Sequence, residues 1–513
     1  MKKATLLLLA LAMLLAAMPL AAGAEEAAEP YTYTMVMYNF GPLDEDPVMV
    51  QYWNEKYGVN FEPINVEQSS AAEQINLMIS AGEIPDVMQS IDANAYYQQG
   101  IIGGWSEEFF REHAPRLSAY IDETEPKSWA YAKYDGENMY SIPGFRLYNT
   151  VADPFIWRTD WLENLGITEI PETLEEVEEV FYRIAKEDPD GNGVDDTYAL
   201  SETAFDAIYG AFGFQRNTWI EDGEGGVVFG DVMPQAKDAL ALLNKWYTDG
   251  VLDPEFITGE NQGGYWAISH AFLNGRIGVS GMGSFYHWVD STALGGTMVG
   301  RMAEAIKDAG VDIPYAPGHP PIGPDGDWGT TQSSPVSLRT HFSSVLTADT
   351  ERFARLLEII DDMMMDLDNC TRASRGIPGE TYEIVEWNGQ QVINMLVENN
   401  TTAVNGMGAA AWFMFTEEYN YDFQYMAYAY DFAWYEEFMK DFNQGYISAI
   451  YGTLPSNAMY ATECNKILNE GYIAIITGEQ PLDYFDTMVE QWYNAGGTVL
   501  TEEANELYAQ QNA

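Results

Sequence analysis

The chain has 513 residues, 47% hydrophobic and 14% aromatic, with 24 Lys+Arg against 79 Asp+Glu and a formal charge of −55. That charge excludes nucleic acid and anionic membrane surfaces as ready partners, and it weighs against a polyanionic ligand unless a local basic groove overrides the average. The length exceeds what one hydrophobic core organises, so two or more lobes are expected.

Residues 1–24 read as a secretory signal peptide. Lys2 and Lys3 form the positive start, Leu6 to Leu15 the apolar run, and Ala22-Gly23-Ala24 a small-residue cleavage site. The run is too short for a membrane-spanning helix. No cysteine lies near the cleavage site to carry a lipid, so the expected location is exported: extracellular, cell-surface or periplasmic. Removing the signal removes two lysines and no acids, leaving 22 basic against 79 acidic residues and a formal charge of −57. Residues 25–30 form an acidic spacer. The only cysteines, Cys370 and Cys464, are either bonded or two separate buried thiols.

The mature chain opens with a predicted strand over 33–38, a loop to Pro47 and a helix from Val48 that ends at Gly58. A strand over 59–64, a helix over 71–80 capped by Gly82, and a strand over 85–88 follow. Strand, helix, strand, helix, strand implies a parallel sheet in an α/β lobe. Ligands of such sheets gather at the carboxyl ends of strands, so the loops after Tyr38 and Met88 are expected to face a site.

Thr173 and Glu176 form a capping box, and Val177, Val180, Phe181 and Ile184 recur at helical spacing, which predicts an amphipathic helix over 174–186. Immediately after it stand Asp188, Asp190, Asn192 and Asp196 at the first, third, fifth and ninth places of a Ca²⁺ loop. Gly193 is at the turning sixth place, and Val194 offers a backbone carbonyl at the seventh. The twelfth place is Ala199, not Glu, so a last ligand must come from Thr197, Glu202 or water. The alternative is an Asp/Asn/Gly-rich surface turn. A structural calcium would fix the connection between the helix and a short strand over 198–200.

A Pro/Gly-rich stretch over 312–324 suits an extended hinge, and 140–154 an earlier crossing. A helix is predicted over 351–366, and 403–450 read as packed helices rich in aromatic residues. Sugar binding needs flat apolar faces and planar polar groups. Trp53, Trp161 and Trp246 sit in helical patterns and read as structural. Trp266, Tyr286, Trp288 and Trp412 sit beside small residues in loops and are the cleft candidates, together with Asn39 at the end of the first strand; for the four aromatics a core position is an equal alternative.

The run from Glu73 to Val87 resembles the first-lobe signature of extracellular solute-binding proteins of ABC importers, the family 1 type that binds oligosaccharides. Trp157 to Ile167 followed by Pro171-Glu172-Thr173 resembles its second-lobe entry, and the loop from Asp188 to Asp196 the calcium loop of alginate-oligosaccharide-binding members. Asn274 to Gly278 resembles the segment that lines the cleft. Residues 376–379, 476–478 and 491–497 resemble the last third. Two departures stand out: Thr197 where the family's metal loop is acidic, and the absent lipid-anchor cysteine. The resemblance implies an α/β, two-lobed periplasmic-binding-protein-like fold with a hinge between lobes. The expected division is lobe 1 from 31–145, lobe 2 from 146–311, a hinge crossing at 312–330, and 331–513 shared. It implies a monomer that binds an oligosaccharide, neutral by the charge argument, and hands it to the permease subunits of the importer without catalysis. The rival classes are a secreted carbohydrate-active hydrolase, for which no catalytic motif appears, and a peptide-binding surface protein.

Overall fold

The computed structural model describes residues 29–39, 41–67, 70–89, 93–258, 268–310, 313–397, 400–409 and 419–512; the expected signal peptide lies outside them. Strand β1 (Thr32–Asn39) is followed by helix α1 (Val48–Tyr57), β2 (Asn60–Glu67), α2 (Ala71–Ser80) and β3 (Val87–Gln89). Next come α3 (Ala93–Gln98), α4 (Ser128–Tyr131) and β4 (Ile142–Phe145). The second half of the molecule begins with β5 (Ile156–Arg158), α5 (Leu174–Lys186), α6 (Phe205–Gly210) and the hairpin β6 (Trp219–Glu221)–β7 (Val227–Phe229). It continues through α7 (Gln235–Thr248), β8 (Val279–Ser280) and β9 (Tyr315–Pro317). The chain then passes through β10 (Thr330–Thr331), β11 (Val336–Phe342), α8 (Thr350–Met365) and the hairpin β12 (Tyr382–Trp387)–β13 (Gln390–Met395). It ends with β14 (Gly445–Tyr446), α9 (Asn457–Ile476) and α10 (Thr498–Gln511).

The first sheet has the order β2-β1-β3-β11-β4. Its first three strands are parallel, as the alternation of strand and helix requires, but β11 runs antiparallel to both neighbours, so the sheet is mixed. A strand returning from a distant part of the chain needs no crossover helix and is free to enter in either direction. One side chain ties this sheet to α8. Asp86 accepts from the amide and hydroxyl of Thr34 and pairs with Arg352.

Two cores divide the apolar residues. One gathers residues from Tyr33 to Phe145 and from Val336 to Tyr419; the other gathers Phe155 to Phe256, Val279 and Ile450 to Ala504. Trp53, Trp161 and Trp246 are fully buried in them, as their helical spacing predicts. A third cluster around Phe272, Phe285, Trp288, Trp434 and Tyr435 lies on the small sheet β8-β5-β9. Cys370 and Cys464 are buried in different clusters.

Three chain segments run side by side between the two main cores. Asp153 N–H donates to Thr331 O at 2.9 Å, and Gln332 Nε2 donates to Asn149 O. β10 pairs in parallel with β14, and the amide of Asn443 receives from Ala152 N and donates to Thr150 O. Gly445 is required here, because a Cβ on it would stand 2.2 Å from Cβ of Gln332. Within the stretch expected to cross at 312–330, residues 315–317 form β9 of the second sheet, and Ile322 pairs with Thr173 beside α5.

Candidate functional site

The first of the three segments supplies Asp153 to a cavity of about 570 Å³, and the second touches its wall through Thr331, which donates to Asp206. Asp153 comes from the segment leading into β5. Gly281, Met282 and Gly283 follow β8, Asp206 and Tyr209 stand on α6, and Asn469 and Tyr472 on α9. Its apolar wall is aromatic: Phe205, Tyr209, Phe256 and Tyr472 each expose 6% or less, and Phe205 packs against Phe256 with ring centroids 5.6 Å apart.

Its polar wall is acidic. Asp153 accepts from Ser284 Oγ at 2.9 Å, and Asp206 accepts from Thr331 Oγ1 at 2.6 Å. Burial pushes the Asp153 carboxyl up to about 7, and the charge of Asp206 adds to the effect while the Ser284 hydroxyl opposes it. Asp206 is also raised, by burial first and against the help of Thr331 and Arg216. Burial raises Glu202 in the same way. Arg216 pairs with Asp231 at 2.6 Å, lies over the Tyr472 ring at 4.2 Å and donates to Asn469 Oδ1. Burial works against its charge, and Asp231 together with Tyr209 and Tyr472 more than offsets that. Carboxylates and a guanidinium can bind hydroxyls here, and the buried rings behind them form an apolar backing that holds them in place.

A second cavity, of about 510 Å³, lies between the first half of the fold and the C-terminal helix. Asn94, Tyr97 and Gln98 of α3 and Tyr131 of α4 face Tyr451, Glu503 and Gln510 across it. Asn94 follows β3 closely, in keeping with a site beyond the strand ends.

Of the sequence candidates, Trp288 is a core residue: it is fully buried, its indole N–H donates to Met282 O, and its ring meets Phe272 edge-on, so no face is left for a sugar. Glycine-flanked loops supply core tryptophans as readily as exposed ones. Tyr286 is half-buried against Tyr148 and His287. Trp266 and Trp412 lie outside the described residues, and of Asn39 only the backbone at the end of β1 is described. Asp153, Asp206, Arg216 and Phe256 were not singled out in the sequence. The strand-end expectation concerned the loops after Tyr38 and Met88; only the resemblance of Asn274 to Gly278 to a cleft-lining segment lies near Gly281, and nothing local marks the others.

The acidic loop after α5 folds upon itself. α5 begins at Thr173 with the full capping box and buries Val177, Val180, Phe181 and Ile184. Beyond it, Asn192 N–H donates to Asp188 Oδ1 at 3.1 Å, Asn192 Nδ2 donates to Asp190 Oδ2 at 2.8 Å and to Asp196 Oδ1 at 3.1 Å, and Gly193 N–H donates to Asp188 Oδ2. Val194 N–H donates to Asn192 Oδ1. Gly193 takes φ +80°, the left-handed turn expected of the sixth place. Burial and the charges of Asp188 and Asp196 raise the Asp190 carboxyl. The repelling oxygens fit a hard cation, although among the described residues no three acidic or His/Cys side chains are gathered ready to hold one. Of the residues expected to complete the shell, Thr197 is buried with its hydroxyl donating to Ile184 O, and Glu202 lines the large cavity.

Residues 42–335, more than half of the chain, match the model of the bacterial extracellular solute-binding protein family. The chain belongs to that family. Among curated relatives of this solute-binding protein, lipoprotein LipO of Bacillus subtilis is 24% identical over 91% of this chain and 89% of its own. The fructooligosaccharide ABC transporter substrate-binding protein FusA of Streptococcus pneumoniae is 26% identical over 41% of this chain and 42% of its own. The fold is that of solved two-lobed binding proteins. FusA in complex with kestose superposes with a TM-score of 0.62 at 17% identity, covering 94% of this chain and 99% of that one. Alginate-binding protein AlgQ2 without calcium gives 0.60 at 17% identity, covering 94% and 98%.

Proposed function

We propose that this solute-binding protein is the substrate-binding component of an ABC importer, exported from the cell, which captures an oligosaccharide between its lobes and delivers it to the permease. The observation that carries the reading is the cavity that opens at Asp153 of the first crossing segment, aromatic on one wall and carboxylate-lined on the other, in a family of extracellular binding proteins. The crossings at 149–153, 330–335 and 443–446 serve as the hinge. It works as a monomer and releases its ligand chemically unchanged. The carboxylates of the cavity are hydrogen-bond partners of the ligand, not an acid and base. The reading is tested by melting curves of the full chain against oligosaccharides and peptides, since a ligand of the native state raises the melting temperature by mass action. Chromatography of the bound sugar after long incubation completes the test. A shift with peptides alone, or the appearance of cleavage products, refutes it.

Calcium is the second part of the proposal. Asp188, Asp190, Asn192 and Asp196 would hold it with the Val194 carbonyl, and water would complete the shell. The supporting observation is the like-charge convergence on Asn192. The ion would supply charge neutralisation only, pinning the end of α5 to the segment over 198–200. Among the solved structures of similar fold are AlgQ2 without calcium and a FusA EF-hand mutant.

A further inference from the structure

We propose that Asp153 and Asp206 make the large cavity selective for an uncharged, hydroxyl-rich saccharide and against a polyuronate. This rests on the saccharide-binding reading above, and it goes past net charge to two residues.

Among the described lining residues Arg216 is the sole cation, and its charge is already committed. Asp231, fully buried, takes the Nε hydrogen at 2.6 Å and also accepts from Asn217 N–H; Asn469 takes an Nη2 hydrogen at 2.7 Å. No lysine is among the described lining residues. Asp153 and Asp206 each spend one oxygen on a single hydroxyl, of Ser284 and Thr331 respectively, and among the described residues each leaves its other oxygen outside such bonds. A carboxylate oxygen is an acceptor and suits a sugar hydroxyl; facing a uronate it meets a second acceptor of the same charge, desolvated, with no cation between them. Burial is the chief cause of the rise in both carboxyls, and Arg216 offsets it only in part at Asp206.

Because both residues are tied to the crossing segments, the repulsion would be felt as the lobes close. Asp206 reaches Thr331 of β10, and the backbone of Asp153 binds Thr331 O and the Thr330 hydroxyl.

The test titrates the full chain at pH 8 with neutral fructo-, galacto-, xylo- and manno-oligosaccharides, and with galacturonate and alginate oligomers of equal length. The best neutral probe should bind at least about tenfold more tightly than either uronate at low salt, and the gap should narrow as salt screens the repulsion. Asp153→Asn and Asp206→Asn keep an acceptor but lose the charge. Ligand-free, both variants should melt at or above the wild type, since each loses a charge that burial disfavours, while they weaken the neutral probe and strengthen the uronates. Uronates bound as tightly as neutral probes by the wild type, or a gap unmoved by both substitutions and by salt, would overturn the selectivity while leaving saccharide binding standing. Failure of every saccharide to bind would overturn the underlying reading, and this inference with it.

Discussion

Tyr131 and Tyr451 stack face to face across the two halves of the fold, with ring centroids 4.0 Å apart and planes 11° from parallel. Tyr131 ends α4 beside the first core, while Tyr451 follows the third crossing and is held at its own backbone by both ends of the Gln511 amide. The stack therefore couples α10 to the first half. Tyr451→Ala should lower stability by about 1–2 kcal/mol, the worth of an aromatic pair and its lost burial. It should also enlarge the radius of gyration of the ligand-free protein, measured by X-ray scattering. An unchanged scattering curve would mean that the stack does not restrain the lobes.

Ligand closure is read by the same method. Two lobes joined by thin crossings rotate as rigid bodies, and a ligand shifts them only if it binds the closed form better. The tightest oligosaccharide found should shrink the radius of gyration at saturation; no compaction at full occupancy refutes the hinge.

Calcium should stabilise the protein through the loop at 188–196. A chelator is expected to lower the melting temperature of the wild type, and Asp190→Ala to lower it in calcium and erase the dependence on the ion. A wild-type melting curve indifferent to the chelator removes calcium from the account.

Arg216 and Asp231 form a pair in which one partner is fully buried. Arg216→Ala leaves that carboxylate uncompensated and should cost about 3 kcal/mol in denaturant unfolding. A loss below about 1 kcal/mol would show that solvent reaches Asp231 and takes over the role of the guanidinium.

Asp431 gives a pH dependence. Burial pushes its carboxyl from an ordinary 3.8 up to about 6, opposed by the hydroxyls of Ser291 and Tyr148. The raised value means that the folded state favours the protonated acid, so this contribution to stability is full below pH 3.8 and is lost as pH rises through about 6. Asp431→Asn should therefore be the more stable protein at pH 8, by about 3 kcal/mol, and the difference should vanish toward pH 4. A constant difference across that range would assign the effect to packing.

Local chemistry decided much of this protein in advance. The helix after Thr173, the parallel run β1 to β3, the burial of Trp53, Trp161 and Trp246, and the turn at Gly193 all follow from period, capping and backbone preference within a few residues. The antiparallel entry of β11 and the burial of Trp288 did not follow, because pairing partners and neighbouring rings come from parts of the chain that no local pattern connects. The candidate site was the least legible part. Asp153, Asp206, Gly281 and Tyr472 are ordinary residues in their own segments. Only folding draws those segments around one cavity and strips water from the two carboxylates, and that loss of water gives them chemistry their sequence positions do not announce.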